Sequence, residues 1–276
     1  MSVTEKFSLK DNLAIVTGGA GLLGKQHVEA LLEADSDVII FDVNEQAIQD
    51  TKEHCLKKYG KDVFSLKVNI TDEDEILEAK KKIFEQFGKY PNILINNAAI
   101  DPKFEKNSKV NKSRLENFDL RQWNLEISVG LSGAMLCSKI FGIEMAKNSK
   151  GVILNIASDL GVIAPNQGLY KQGGLKDEEQ NVKPVTYSVI KHGLIGLTKY
   201  IATYWAENGV RCNAFAPGGV FNNHPDEFLE KVSELIPMKR MANIDEYKAS
   251  IIFLCSDASS YMNGATLNMD GGRSVW

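Results

Sequence analysis

Short apolar runs alternate with longer amphipathic ones along the chain. Leu13 to Thr17 has the length and apolar continuity of a buried strand; glycines follow, then a helical pattern from about Leu22 to Ala34. Asp37 to Phe41 reads as a second strand, and Asn44 to Tyr59 as a second helix with Asn44 as its cap. Val63 to Val68 is a third strand. Thr71 is placed to cap a helix from Asp72 to Phe87, and Asn92 to Asn96 makes a fourth strand. A long helical stretch runs from about Leu120 to Lys147, followed by a fifth strand, Val152 to Ile156. Tyr187 to Glu207 is a long helix and Val210 to Phe215 a sixth strand. Asp226 to Leu235 and Ile244 to Cys255 are helical, and Ala265 to Met269 is a last strand. Strands alternating with helices predict an α/β fold with about seven strands in a parallel sheet and helices on both faces. Right-handed crossovers then give the doubly wound, Rossmann-type arrangement. No internal repeat, low-complexity tract or linker interrupts the pattern, so residues 1–276 are expected to form a single domain.

Composition narrows the class. Apolar residues make up 43% of the 276 and charged residues 25%, as in ordinary soluble proteins. The net charge of −4 predicts no general attraction to nucleic acid or to an anionic membrane. Cys55, Cys137, Cys212 and Cys255 form no CxxC pair, so reduced thiols are expected and a metal site is not. The start, Met1-Ser2-Val3-Thr4-Glu5-Lys6, is polar, with no signal-peptide apolar stretch, and no run reads as long enough to span a bilayer. A cytoplasmic protein is expected.

The first strand ends in Thr17-Gly18-Gly19-Ala20-Gly21-Leu22-Leu23-Gly24. Gly18, Gly21 and Gly24 let backbone approach a pyrophosphate, and the following helix N-terminus offers N–H groups and a positive dipole end. A glycine cluster alone is weak; between a first strand and a first helix it points to dinucleotide binding. The spacing is GxxGxxG rather than GxGxxG. Asp42, at the end of the second strand, is placed to accept hydrogen bonds from the adenosine ribose hydroxyls and would repel a 2′-phosphate. Val43 and Asn44 follow it, with no Arg or Lys close behind, and Lys25 near the glycines has no direction fixed by the sequence, so NAD is preferred over NADP. The bland alternatives are a tight turn without ligand and a solvated loop acid.

These features, with Asn96-Asn97-Ala98-Ala99 after the fourth strand, Ser158 after the fifth, Tyr187-Ser188-Val189-Ile190-Lys191, Pro217-Gly218 after the sixth and Asp270-Gly271-Gly272 near the end, occur in order from Leu9 to Gly272. The chain thereby resembles the short single-domain branch of the short-chain dehydrogenase/reductases. The resemblance implies a nicotinamide-dependent oxidoreductase with Ser158, Tyr187 and Lys191 as its catalytic set. It implies that Gly18, Gly21, Leu23 and Gly24 hold the pyrophosphate. Asn69 and Ile70 would meet the adenine, with the Asn69 oxygen accepting where the family often has Asp. Asn97, Ala98 and Ala99 would line the adenosine side. Pro217, Gly218 and Val220 would cradle the nicotinamide.

Tyr187 and Lys191 are i and i+4 on one helix and share a face. A tyrosine is a poor base at neutral pH, and a neighbouring ammonium favours its phenolate. Lys191 would also hold the nicotinamide ribose, while Ser158 donates to the substrate oxygen that lies between it and Tyr187. Without the other motifs Tyr187 would read as a core-edge tyrosine. Tyr170 is a decoy. It lies 12 residues after Ser158, but its +4 position is Gly174; Tyr187 lies 29 residues after Ser158. An insertion of roughly 16 residues separates them, a size that marks a functional loop.

Two features depart from the family. Gly130 stands where a helix Asn usually follows Trp123, so the water-linked proton relay associated with that Asn loses its side chain. Ser128 or Ser132 are the nearby replacements, although neither lies at the same angle. The glycine spacing looks more like the longer, nucleotide-sugar-handling branch. The Gly130 variant, the insertion and the ending Gly271-Gly272-Arg273-Ser274-Val275-Trp276 are similar to a bacterial subgroup concerned with flagellin modification and surface glycans.

Three regions are expected to border the substrate: 101–117, 165–183 and 221–236. The last carries Phe228, Leu229 and Val232 and reads either as a closing lid or as an ordinary surface helix, with His224 as a substrate ligand or a plain loop residue. The long helices around 120–147 and 187–207, with Phe141, Ile201, Tyr204 and Trp205, are candidates for subunit pairing or core. By resemblance a homotetramer is expected, a dimer being the alternative. The leading function is an NAD-dependent alcohol/carbonyl oxidoreductase on a small polar, sugar-like substrate. The alternatives are an NAD-retaining nucleotide-sugar-modifying enzyme and a low-turnover dinucleotide-binding regulator.

Overall fold

The computed structural model describes residues 2–100 and 111–276; most of the predicted substrate region 101–117 lies outside the described residues. The strands are β1 (Leu13–Thr17), β2 (Asp37–Asp42), β3 (Phe64–Lys67), β4 (Ile93–Asn96), β5 (Gly151–Ile156), β6 (Val210–Pro217) and β7 (Thr266–Met269). They pair in parallel in the order β3-β2-β1-β4-β5-β6-β7. The order reverses between β1 and β4, the point at which open α/β sheets bind ligands at their strand carboxyl ends.

Both faces of the sheet are covered because successive strand residues point to opposite sides. Ala14 and Val16 pack with Val28, Leu31, Ile48, Ile251 and Leu254 on helices α1 (Leu22–Glu33), α2 (Glu45–Tyr59) and α8 (Lys248–Cys255). Leu13 and Ile15 face the other way, toward Ile76, Ile83, Cys137, Phe141 and Ile201 on α3 (Glu73–Phe87), α5 (Gly133–Lys147) and α6 (Val185–Tyr204). Each Val, Leu, Ile or Phe among them, buried fully, stabilises the fold by about 1.5–3 kcal/mol. Polar groups inside are mostly paired: Asn96 donates to Ser138 and Asn155, and Asn155 to Thr198.

Several details differ from expectation. Asn44 caps α2 as predicted, accepting from the Ala47 N–H. The cap of α3 is Asp72, not Thr71: the Asp72 carboxylate accepts from Asp74 and Glu75, whereas Thr71 gives its hydroxyl to Asn69. Helix α6 starts at Val185, two residues early, because Pro184 precedes it with extended ψ. Helix α8 starts late because Glu246 accepts from the Asn243 N–H and pairs with Arg240, folding 243–247 into a turn.

The long central helix is α4 (Leu120–Ile127), a π-helical segment Ser128–Ser132 and α5 in succession. By length and composition alone Leu120–Lys147 is long and apolar enough to cross a bilayer, where the sequence reading had found no such run; half of its most apolar stretch is buried in the fold, as in a core helix. Cys137, Phe141 and Met145 there belong to the core beside the sheet.

Candidate active site

A cleft of about 920 Å³ opens over the carboxyl ends of the strands. Every residue expected to bind dinucleotide or carry catalysis lines it: Gly18, Gly21, Leu23, Gly24, Asp42, Asn69, Ile70, Asn97, Ala98, Ala99, Ser158, Tyr187, Lys191, Pro217, Gly218 and Val220. Another cleft, about 580 Å³, opens between Leu9, Asn92, Gly151 and Arg211, and holds none of them.

The glycine turn is built for close approach. Gly18 has φ +61°, and a Cβ there would lie 2.9 Å from the Ala98 Cα; a Cβ on Gly24 would lie 2.0 Å from the Gly18 carbonyl oxygen. Gly21 caps α1 without a side chain, so among the described residues no side-chain acceptor caps the first-turn N–H groups. Such a bare N-terminus at a backbone cradle fits an anionic pyrophosphate. Asn97 braces the turn, donating from Nδ2 to the Thr17 and Gly18 carbonyls at 3.0 Å each.

Asp42 is held by backbone. Its two carboxylate oxygens accept from Ala20 at 3.1 Å and Asn44 at 3.0 Å. The Asn69 side-chain oxygen, expected to accept from the adenine, accepts both the Thr71 N–H and the Thr71 hydroxyl, so the capacity left to the side chain is mainly its NH2, a donor.

Tyr187 and Lys191 share one face of α6. The Lys191 ammonium lies 5.7 Å from the Tyr187 ring centre and donates to the Ile156 carbonyl at 2.7 Å. Burial, with the nearby Lys183 charge adding to it, lowers Lys191 to about 8. Ser158 lies two residues beyond β5 and donates its hydroxyl to Asp159 at 2.7 Å.

Residues 12–171 match the family described as short chain dehydrogenase, and 175–274 match the one described as Enoyl-(Acyl carrier protein) reductase. The chain belongs to the short-chain dehydrogenase/reductase family. As a member of it, the protein is an oxidoreductase acting on CH–OH groups with a nicotinamide dinucleotide. This dehydrogenase/reductase is similar to the 2-dehydro-3-deoxy-D-gluconate 5-dehydrogenase of Bacillus subtilis, 30% identical over 97% of this chain and 96% of the relative. It is also similar to the post-translational flagellin modification protein A of Campylobacter coli, 26% identical over 96% and 98%. Among solved structures, a Leptospira borgpetersenii short chain dehydrogenase with bound NAD+ is 30% identical, covers 97% and 94%, and has a TM-score of 0.81. A Burkholderia cenocepacia gluconate 5-dehydrogenase in complex with NADP and tartrate shares the fold at 23% identity, 100% coverage of both chains and TM-score 0.84.

In this dehydrogenase/reductase the position of the family's helix Asn is closed. Gly130 is buried in the π-helical segment, against Ile190. Ser128 gives its hydroxyl to the Leu125 carbonyl and so does not turn toward Lys191. Tyr170 lies at the cleft wall and packs on Phe228, with ring centres 6.2 Å apart. His224 stacks on Phe228 at 5.1 Å.

The described parts of the three segments expected to border the substrate meet. Asn111 donates to the Glu179 carbonyl and the Asn181 side chain, and Arg114 to the Asp177 carbonyl. Leu169 packs with Val232 and Ile236 around α7 (Asp226–Glu234). The insertion is ordered by buried Gln180, which exchanges hydrogen bonds with the Gln172 backbone and donates to the Leu175 carbonyl.

Three charged lining residues were not singled out by the sequence reading, although Lys183 falls at the end of the segment 165–183 expected to border the substrate. Lys183 places its ammonium 3.8 Å from the Tyr187 ring centre; its i−4 spacing was visible, but it lies before the helix. Asp159 and Arg273 form an ion pair of 2.8 Å at the cleft wall, and nothing in the sequence pairs residues 114 apart.

Proposed function

We propose that the enzyme uses NAD to interconvert a secondary alcohol and its carbonyl on a small, polar, sugar-like substrate, with Tyr187 moving the proton. The reading rests on one observation: Tyr187, Lys191 and Ser158 line the same cleft as the glycine turn and Asp42. The dinucleotide supplies the hydride carrier when bound. Lys191, an ammonium beside the phenol, favours the phenolate that accepts the alcohol proton, and holds the nicotinamide ribose. Ser158 orients the reacting oxygen. Gly18, Gly21, Leu23 and Gly24 take the pyrophosphate and Asp42 the adenosine ribose. Asn69, Ile70, Asn97, Ala98 and Ala99 surround the adenosine, and Pro217, Gly218 and Val220 the nicotinamide.

Asp42 supports NAD, since its fixed carboxylate would meet a 2′-phosphate with like charge. The Bacillus subtilis relative, named for a gluconate derivative, supports a polyhydroxylated substrate. Residues 1–276 are read as one domain in a cytoplasmic protein, with 111–117, 165–183 and 221–236 bordering the substrate. Exposed Met135, Ile143, Val189, Tyr200 and Tyr204 on α5 and α6 support self-association, read as a homotetramer.

The test is turnover, followed by nicotinamide absorbance, of polyols, aldonic acids and their keto forms. Wild type is expected to turn over at least one pair, and Tyr187→Phe to lose about 10²–10⁴-fold in kcat. Undiminished turnover in Tyr187→Phe, or none in wild type with any pair, refutes the reading.

A further inference from the structure

We propose that Lys183 selects the substrate: its ammonium, set over the ring of Tyr187, receives an acidic group, carboxylate or phosphate, of the molecule whose hydroxyl meets Tyr187, so that the enzyme prefers acidic substrates to neutral ones. This rests on the reading of Tyr187 above and makes Lys183 a specificity-determining residue.

The position of the ammonium carries the argument. It lies 3.8 Å from the Tyr187 ring centre, nearer than the 5.7 Å of Lys191. Lys183 and Tyr187 both line the cleft, and Lys183 is half-buried. A phenol oxygen is less than a ring's width from its ring centre. A molecule bonded to the Tyr187 hydroxyl therefore extends, within a few bonds, to the Lys183 ammonium.

The backbone at Lys183 is fixed. Its N–H donates to Gln167 Oε1 at 2.8 Å, and the Val182 N–H donates to Ser113 Oγ at 3.1 Å. Buried Pro184 follows with ψ 142°. The Thr186 hydroxyl donates to the buried Glu126 carboxylate and ties down the first turn of α6. Only the lysine stem has to be ordered when a ligand binds, which limits the entropy lost.

The charges at this end of the cleft favour an anion. Beyond the glycine turn and Asp42, the charged side chains among the described lining residues are Lys183, Lys191, Arg273 and Asp159. Arg273 and Asp159 pair with each other; the other two are ammonium groups beside one phenol. The Lys183 charge acts on Lys191, adding to burial in lowering it. An acidic group at Lys183 offsets that repulsion, and its bond to the ammonium is charge-assisted. A neutral hydroxyl or amide in the same place makes a weaker bond and leaves the repulsion as it was.

Kinetics on matched substrates test this. The probes are aldonates with their primary amides, and sugar phosphates with their parent sugars. Wild type should use the acid member of at least one pair with kcat/KM about tenfold or more above that of the neutral member. The pair that responds distinguishes carboxylate from phosphate. Lys183→Met and Lys183→Gln should reduce that preference about tenfold, mainly through the KM of the acid. Lys183→Arg, which keeps the charge, should retain most of it. Wild type without the preference, or a preference unchanged in Lys183→Met and Lys183→Gln, overturns the proposal. So does an equal loss of kcat on acid and neutral members, which would confine Lys183 to an effect on the Tyr187 phenolate. If no pair is turned over, the proposed function fails, and calorimetric binding of the same acids to the dinucleotide-saturated protein decides the role of Lys183. Binding that Lys183→Met weakens about tenfold supports it; no binding, or equal binding by the two proteins, overturns it.

Discussion

Ile190 fills the space that a side chain at position 130 would need. A Cβ built on Gly130 falls 2.8 Å from Ile190 Cγ2 and 3.1 Å from its Cδ1. Isoleucine is stiff at χ1, so it yields little, and it sits one residue before Lys191. Gly130→Asn, the family's usual residue, is therefore expected to lower stability by about 1–3 kcal/mol through overpacking. Ile190→Ala in the same background should recover part of that loss. Urea unfolding checks both; an unchanged midpoint for Gly130→Asn would show that Ile190 moves aside at no cost.

Asp42 predicts cofactor choice. Asp42→Ser is expected to weaken NAD binding about tenfold and to strengthen NADP binding, since a charge-assisted bond is lost and a like charge removed. Calorimetric titration of wild type and Asp42→Ser with both dinucleotides measures this. Equal affinity of wild type for NAD and NADP would refute the assignment.

Lys191 predicts a pH dependence of stability. Burial, with Lys183 adding to it, brings its pKa from 10.5 to about 8. The folded protein releases this proton before the unfolded chain does. Between those values the unfolded state binds more protons, so this group's contribution to stability rises with pH; below about 8 the full cost of the buried charge is present. The stability of wild type relative to Lys191→Met should therefore increase between about pH 8 and pH 10.5. Urea unfolding of both proteins across that range tests it, and a flat difference would mean that the ammonium is not penalised.

Gln180 predicts the order of the insertion. Its buried amide ties Gln172 to Leu175. Gln180→Ala should cost about 1–3 kcal/mol by leaving those backbone groups unpaired. KM should rise more than kcat falls, and tryptic cleavage at Lys171 and Lys176 should quicken. Wild-type cleavage rates and KM would show that the insertion is held by other contacts.

His27 carries an acid-side expectation. It is 1% exposed on α1, and neither ring nitrogen is within good hydrogen-bonding geometry of a partner among the described residues, although Asn97 lies near enough to favour the charged form. Burial lowers it to about 3. The unfolded chain takes up this proton first, so stability from this group is present above about pH 6.5 and falls progressively as pH drops toward 3. His27→Gln should flatten that part of the unfolding-versus-pH curve; an unaltered curve would locate the acid loss elsewhere.

Much of the architecture was legible because strands and helices leave different periods in the apolar pattern. Leu13 to Thr17 could be read as a strand, and the glycines after it as a βα turn, from local composition. Caps were less legible. Thr71 and Asp72 are both good N-caps, and the choice fell to whichever side chain lay over the first-turn N–H groups. The π-helical segment at Ser128–Ser132 left no local mark, because its backbone angles are near those of an α-helix.

The order of motifs along the chain determined the family, placed the glycine turn between the first strand and the first helix, and set Tyr187 apart from Tyr170 by the lysine four residues on. Those features are local, carried by a turn, a strand end or one helical face. Only the tertiary structure showed that Gly130 is spent on Ile190, that the Asn69 oxygen is spent on Thr71, and that Arg273 closes on Asp159 behind Ser158. Each is a pairing between groups whose spacing in sequence carries no energy, and packing alone brings them together.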